Sequence, residues 1–344
     1  MQQRNSSHTS GNRAGGESSI YGLDHGRLNL SLPPSMWMNM GYWENTTDFP
    51  TACRALLDQV LNAAGIPESK DDIIQIDDAK HYHLIDLGFG CGDQIIYLTQ
   101  EIRRRVKKYR ATSAREIDVP LFSKYTGITL DGQQFHYAKQ RLEDLQIIDE
   151  NVSDPSLFYP IGFQTQARIF CADAAKPETW SPDLLSRTKI RRKRKWKETW
   201  VLALDTLYHF YPSRWPVLKY FRQHVGASLM AFDLILADDI PGPTLMLLRL
   251  LTTLMGAPWA NFVTGSEYRA ELAKAGYKDI QIRDISEHTF GPLANFLERR
   301  EKELAVIGFG LGKLRAAKWI FEWWARTGNV RGIIVIARKD NDSD

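Results

Sequence analysis

Residues 83–94 read HLIDLGFGCGDQ: an apolar run ending at Asp86 and Leu87, then three glycines at alternate positions, Gly88, Gly90 and Gly92. A short apolar run bounded by glycine reads as a buried strand. Without a Cβ, glycine lets the backbone turn tightly and approach a ligand closely. A strand that passes through such a turn into a helix begins a parallel α/β sheet. In such sheets ligands bind beyond the carboxyl ends of the strands, where strand order reverses.

The rest of the chain continues the pattern. Helix 51–64 comes first, and strand 83–88 leads into a predicted helix over 93–110. Strand 124–130 precedes helix 132–145, and 167–173 is a third strand. A fourth, 200–207, is followed by helix 213–224, and 227–236 is the fifth. Helix 266–276, strand 279–286, helices within 290–326 and a final strand 332–338 complete the chain. The fold class expected is α/β: a doubly wound, Rossmann-like, mostly parallel sheet covered on both faces. Its last strand is expected to run antiparallel, with 279–286 and 332–338 as a hairpin at the sheet edge. The segments divide into a disordered tail (1–20), an N-terminal cap (21–65), a ligand-binding core (66–240), a helical lid (241–330), and the final strand with its tail (331–344).

Composition narrows the function. A net charge of +3 over 344 residues is too small to argue for a nucleic-acid partner. Cys53, Cys91 and Cys171 lack metal-ligand spacing, so no metal site is expected, and reduced thiols fit a cytoplasmic setting. The N-terminus lacks an apolar signal core, and no run is long enough to span a bilayer.

Two cofactor classes use a glycine turn after a first strand. A dinucleotide fingerprint reads G-x-G-x-x-G and would need glycine where this chain has Asp93. A carboxylate at that helix N-terminus repels a pyrophosphate but suits a cationic amino-acid group, so the dinucleotide reading is the poorer one. IDLGFGCGDQ (85–94) resembles the glycine motif of class I S-adenosylmethionine-dependent methyltransferases. TGITLDGQQFHYAKQRL (126–142) is similar to the second-strand segment of their small-molecule members, which include cyclopropane-fatty-acid synthases and the tocopherol and sterol methyltransferases. FCADAAKP (170–177), ALDTLYHFYPSR (203–214) and MWMNMGYW (36–43) resemble three further motifs of that group. The likeness spans roughly residues 36–240, and it rests on five motifs in order.

The resemblance implies a cofactor, S-adenosyl-L-methionine, and assigns residues to it. Gly88, Gly90 and Gly92 would line its methionine part beside Asp93 and Gln94, and Asp86 would order the loop and meet the amino group. Thr129, Leu130 and Gln134 would face the ribose. The acidic residue expected at the end of the second strand is displaced to Asp131, which leaves Asp131 and Gln134 as alternatives for the ribose hydroxyls. Asp173 and the backbone at Ala174 would read the adenine, with helix capping as the other reading of Asp173. Asp205 would lie near the reacting end, with capping as its other reading too.

Methyl transfer requires alignment of the acceptor, exclusion of water and removal of any acceptor proton. His209, four residues beyond Asp205, is the candidate base, with packing as the alternative. Tyr208 and Tyr211 flank it and are placed to orient substrate; His25 and His136 are weaker candidates. Trp37, Tyr42 and Trp43 suggest aromatic faces over the sulfonium, with Tyr42 and Trp43 preferred and Trp37 read as packing. The basic run 189–197 is either a solvated loop or a peripheral membrane contact. Apolar helices at 243–262 and 313–327 suggest a pocket for an apolar acceptor. The function expected is methyl transfer to a small, largely apolar molecule. The alternatives are a membrane-docking lipid methyltransferase or cyclopropane-synthase-like enzyme, and a cofactor-binding pseudoenzyme or scaffold.

Overall fold

The computed structural model describes residues 35–66, 74–75, 82–101, 103–110, 113–148, 165–189, 198–254, 256–312 and 314–339. The expected tail, the start of the cap with His25, the basic residues 190–197 and the last five positions lie outside the described residues.

The chain builds ten strands and nine α-helices within those residues. The helices are α1 (Phe49–Ala63), α2 (Asp93–Ile96), α3 (Gly132–Asp144), α4 (Pro182–Thr188), α5 (Trp215–Tyr220), α6 (Gly242–Leu254), α7 (Gly265–Ala275), α8 (Phe290–Val306) and α9 (Leu314–Thr327). The strands are β1 (Ile74–Gln75), β2 (Tyr82–Leu87), β3 (Arg103–Arg110), β4 (Ser113–Pro120), β5 (Phe122–Thr129), β6 (Gln166–Cys171), β7 (Glu198–Leu204), β8 (Ser228–Leu236), β9 (Lys278–Asp284) and β10 (Val330–Arg338).

Seven strands form the main sheet in the order β6-β5-β2-β7-β8-β10-β9. The first five are parallel, and β10 runs antiparallel to both β8 and β9. The late pair is therefore antiparallel as expected, but α8 and α9 separate the two strands, so they are not a hairpin. Strand β8 shows why the central strands read as unbroken apolar runs: all nine of its residues are buried. Met230, Phe232 and Leu234 pack into one layer, while Leu229, Ala231 and Ile235 pack into the other. Burial on both faces removes the alternation that a half-exposed strand would show.

The first layer is completed by α1 and by Phe290, Leu293 and Trp324 of α8 and α9. The second takes Leu184 of α4, Val217 and Leu218 of α5 and Tyr268 and Leu272 of α7. Much of the region expected to be a lid is thus ordinary sheet covering. Helix α6 differs, since Leu248 and Thr252 are its buried residues while Met246, Leu250 and Leu254 are exposed.

The helix expected over 93–110 is the clearest correction. After α2 a π-helical turn covers Tyr97–Glu101, and the chain then enters β3. Strand β3 pairs antiparallel with β4 over eight residues and parallel with β1, forming a separate three-stranded sheet. Arg and Lys favour a helix locally, but a ladder with a segment later in the chain overrides so weak a preference.

From β2 the chain moves outward through β5 and β6, then returns to β7 on the other side of β2. Strand order reverses between β2 and β7, and the carboxyl ends of these two strands frame a cleft.

Candidate functional site

The three glycines after β2 have different tasks. Gly88 has φ +84°, and a Cβ there would lie 2.7 Å from Thr206 Oγ1, so the loops after β2 and β7 touch at this point. Gly90 (φ +64°) faces open space, its nearest neighbour being Met38 Sδ at 4.0 Å. Gly92 (φ +94°) precedes α2, and a Cβ would meet Ala138 Cβ at 3.2 Å, which makes it a packing glycine against α3. Gly88 and Gly90 line the cleft together with Asp93 and Gln94. Arg141 of α3 fixes the turn from behind. Its guanidinium pairs with both Asp93 oxygens at 2.7 and 3.2 Å and donates to the Cys91 carbonyl at 2.9 Å.

Asp86 is wholly buried beneath the turn. Tyr125 and Gln94 both donate to its Oδ2, Gln94 at 2.7 Å, while Oδ1 has no partner. Burial pushes the carboxyl up to about 6, against the pull of these two hydrogen bonds. An unpartnered buried oxygen costs on the order of 1–3 kcal/mol. Asp86 does not itself line the cleft; it is linked to it through Gln94, which does.

The cleft encloses about 380 Å³. One wall comes from the end of β5, where Thr129, Leu130, Asp131 and Gln134 all line it. Asp131 Oδ1 already accepts from the Gln133 and Gln134 amides at 2.8 Å as the cap of α3. Gln134 Nε2 instead reaches across to Met38 Sδ at 3.6 Å. Asp173 and Ala174 line the far end; Asp173 accepts from the Ala175 amide at 2.9 Å and pairs with Lys176 at 3.0 Å.

The opposite end belongs to the segment after β7. Asp205 adopts φ +62°, and its carboxylate accepts from Tyr208 Oη at 2.8 Å and from the Met40 amide. Burial lifts its pKa to about 7. Tyr208 is buried, and its phenol is held well above the ordinary range by burial and then by the Asp205 charge. His209 is exposed at the mouth of the cleft, yet enough protein surrounds the ring to hold its pKa below the ordinary 6.5, against a backbone hydrogen bond at Gly256. A neutral imidazole is able to accept a proton at physiological pH. His136 is exposed on α3 and does not line the cleft.

A strap of residues 35–43 crosses the top. Trp37, Met38 and Asn39 line the cleft; Tyr42 and Trp43, the aromatics preferred from sequence, do not. The chain turns at Gly41 (φ +74°), and the next two residues drop away from the cleft. Trp43 is buried between Phe49 and Phe296, with its indole N–H on the Met40 carbonyl at 2.8 Å. Tyr42 packs on His288 and donates to Glu44 at 3.1 Å. An irregular strap has no period, so sequence gives no signal for which ring faces the ligand. Arg141 and Asn39 carried no sequence signal either.

No group of three or more His, Cys, Asp or Glu side chains suited to a metal ion occurs among the described residues. No helix among them is long and apolar enough to cross a membrane.

No family model matches the chain, and no curated protein matches it by sequence. Solved structures do. The fold is similar to mycolic acid cyclopropane synthase CmaA1 complexed with SAH and CTAB, at TM-score 0.56 and 12% identity, covering 92% of this chain and 95% of that one. It is similar to Haemonchus contortus phosphoethanolamine N-methyltransferase 2 in complex with S-adenosyl-L-methionine, at TM-score 0.54 and 11% identity, covering 85% and 53%. It is also similar to the [4+2]-cyclase SpnF, at TM-score 0.51 and 16% identity, covering 89% of each. The chain has the Rossmann-like α/β fold of S-adenosylmethionine-dependent methyltransferases.

Proposed function

We propose that the cleft binds S-adenosyl-L-methionine and that the protein methylates a small, largely apolar acceptor. The observation that carries this reading is the convergence, at the switch point, of an open glycine turn and three acidic strand ends, Asp131, Asp173 and Asp205, around a 380 Å³ cleft, with the orphaned buried oxygen of Asp86 behind the turn. Folds of this kind host more than one reaction, so the site rather than the fold bears the proposal. When bound, the sulfonium supplies a methyl group for in-line displacement, with a neutral thioether leaving.

The chain's own residues would divide the work. The bare backbone at Gly88 and Gly90 admits the amino-acid end, and Gln94, held from behind by Asp86, lies beneath it. Thr129, Asp131 and Gln134 offer polar atoms for ribose hydroxyls beside the apolar Leu130. Asp173, with the backbone at Ala174, offers an acceptor and a donor for an adenine edge. Trp37 and Met38 exclude water from above. His209, neutral at the cleft mouth, removes a proton from an acceptor that carries one, and Tyr208 holds Asp205 in place behind it. Exposed apolar side chains around the mouth, Met36, Met38 and Tyr211 among them, favour an apolar acceptor.

Isothermal titration calorimetry of the full chain with S-adenosylmethionine and S-adenosylhomocysteine tests the binding. Absence of heat from folded protein would sink it. An acceptor screen that follows S-adenosylhomocysteine release tests the transfer. With an acceptor that carries a proton, His209→Ala is expected to lower kcat by roughly 10²–10⁴-fold. Cofactor binding without release in the screen would favour the scaffold alternative.

A further inference from the structure

The segment after α6 meets the segment that carries His209 at two places, the backbone of Gly256 against the His209 ring and one fully buried amide. Asn261 has no exposed surface. Its Nδ2 donates to the Tyr208 carbonyl at 3.1 Å and to the Phe210 carbonyl at 2.8 Å, the two peptide groups on either side of His209. Its Oδ1 accepts from the Arg214 amide at 2.8 Å, and its own carbonyl accepts from the Arg214 guanidinium. Arg214 is fully buried too, and is held by Asp233 of β8, which also accepts from Tyr268 Oη at 2.8 Å.

This network fixes the orientation of the amide. A flipped carboxamide would set its oxygen against two carbonyl oxygens and its NH₂ against the Arg214 N–H, losing three hydrogen bonds and creating three repulsions. The neighbouring bonds act in the same sense: the His209 amide donates to Thr206 at 3.0 Å and the Phe210 amide to Leu207 at 3.1 Å. His209 is thus pinned through its backbone on both sides while the residue remains exposed at the mouth of the cleft, its ring on the Gly256 backbone.

We propose that Asn261 is a positioning residue: by gripping the Tyr208 and Phe210 carbonyls from the far side, it sets where the His209 imidazole stands at the mouth of the cleft. The catalytic purpose of that placement rests on the reading of His209 as the proton acceptor; the placement itself does not. The hydrogen bonds from Asn261 to the cleft lining go to these backbone oxygens, so its effect travels through the geometry of residues 208–210.

The test uses ligand-free, full-length protein with ¹³C-labelled histidine, the His209 signal being identified by its loss in His209→Gln. In the wild type the ring is expected to titrate below 6.5, the ordinary value. In Asn261→Ala the freed segment opens to water, and the titration midpoint rises toward that value. Leu272→Ala, a core truncation in α7 that destabilises without removing any hydrogen bond of the segment, is expected to leave the midpoint unchanged. An unaltered His209 titration in folded Asn261→Ala, or an equal shift in Leu272→Ala, overturns the proposal. If Asn261→Ala does not fold, hydrogen exchange of the wild type decides. The His209 and Phe210 amides are expected to be protected as strongly as those of β8, and exchange at the rate of an open loop overturns it. Neither readout needs a cofactor, so failure here stays separate from a failure to bind S-adenosylmethionine in the calorimeter.

Discussion

Replacing Gly90 with alanine separates backbone strain from ligand exclusion. Gly90 sits at φ +64° with no protein atom closer than 4.0 Å to the added Cβ, so the folded protein pays only the left-handed backbone cost. That cost is about 1–2 kcal/mol, reduced by about 0.4–1 kcal/mol because alanine also restricts the unfolded chain. With an unfolding entropy near 2.1 cal/mol/K per residue over a chain of this length, a net 1 kcal/mol lowers Tm by only about 1–2 °C. The ligand meets a different obstacle. The methyl group enters the cleft where the backbone itself forms the wall, and overfilling a fitted site costs about 1–3 kcal/mol, roughly 5- to 150-fold in Kd. Gly328→Ala is the control, with nearly the same φ (+65°) and nothing within 4 Å of its Cβ, after α9 and away from the cleft. Thermal unfolding is expected to show similar small losses for both variants, while calorimetry with S-adenosylhomocysteine shows weakened binding for Gly90→Ala alone. Wild-type affinity in Gly90→Ala, or equal weakening in both, would refute the placement of the ligand against this turn.

Two more outcomes follow from charged groups around the cleft. Burial lifts Asp205 from 3.8 to about 7, so the folded state holds that proton more tightly than the unfolded chain does. The resulting stabilisation is complete below about pH 4 and is lost as pH rises through 7. Asp205→Asn keeps an acceptor for the Met40 amide and is expected to flatten that decline; Tm measured from about pH 5 to 8 with an unchanged slope would contradict it. Arg141→Met removes the clamp on Asp93 and Cys91, with an expected loss of about 1.5–3 kcal/mol in urea unfolding and weaker cofactor binding. A wild-type unfolding midpoint would show that the turn holds its shape unaided.

The parts of the fold legible in the sequence are those set by burial alone. Strands β2, β5, β7 and β8 lie between two apolar layers, and their largely apolar runs located each of them to within three residues at either end. Strand β3 was illegible because RRRVKKYR satisfies helix preference locally and becomes a strand only through its pairing with β4. The glycine turn announced a ligand site, but sequence gave all three glycines one role. Gly92 packs against Ala138, a contact that depends on where α3 lies. The strap misled in the same way: Trp37 and Tyr42 are five residues apart, and only the turn at Gly41 decides which of them remains over the cleft. Asn261 was invisible because its bonds go to main-chain oxygens some fifty residues earlier, and backbone acceptors leave no mark on side-chain identity.

The contact between Gly88 and Thr206 has a mechanical consequence. Because the two loops at the base of the cleft already touch, neither can close further on the other, and any side chain at position 88 would wedge them apart. The roof is tied to the walls by Ser35 to Asp93 at 3.5 Å, Met38 to Gln134 at 3.6 Å and the Met40 amide to Asp205, and to α1 by Asn39, whose Nδ2 donates to the Cys53 carbonyl at 3.1 Å. Floor and roof are thus both tied down, so the cleft presents a largely preformed shape to whatever occupies it.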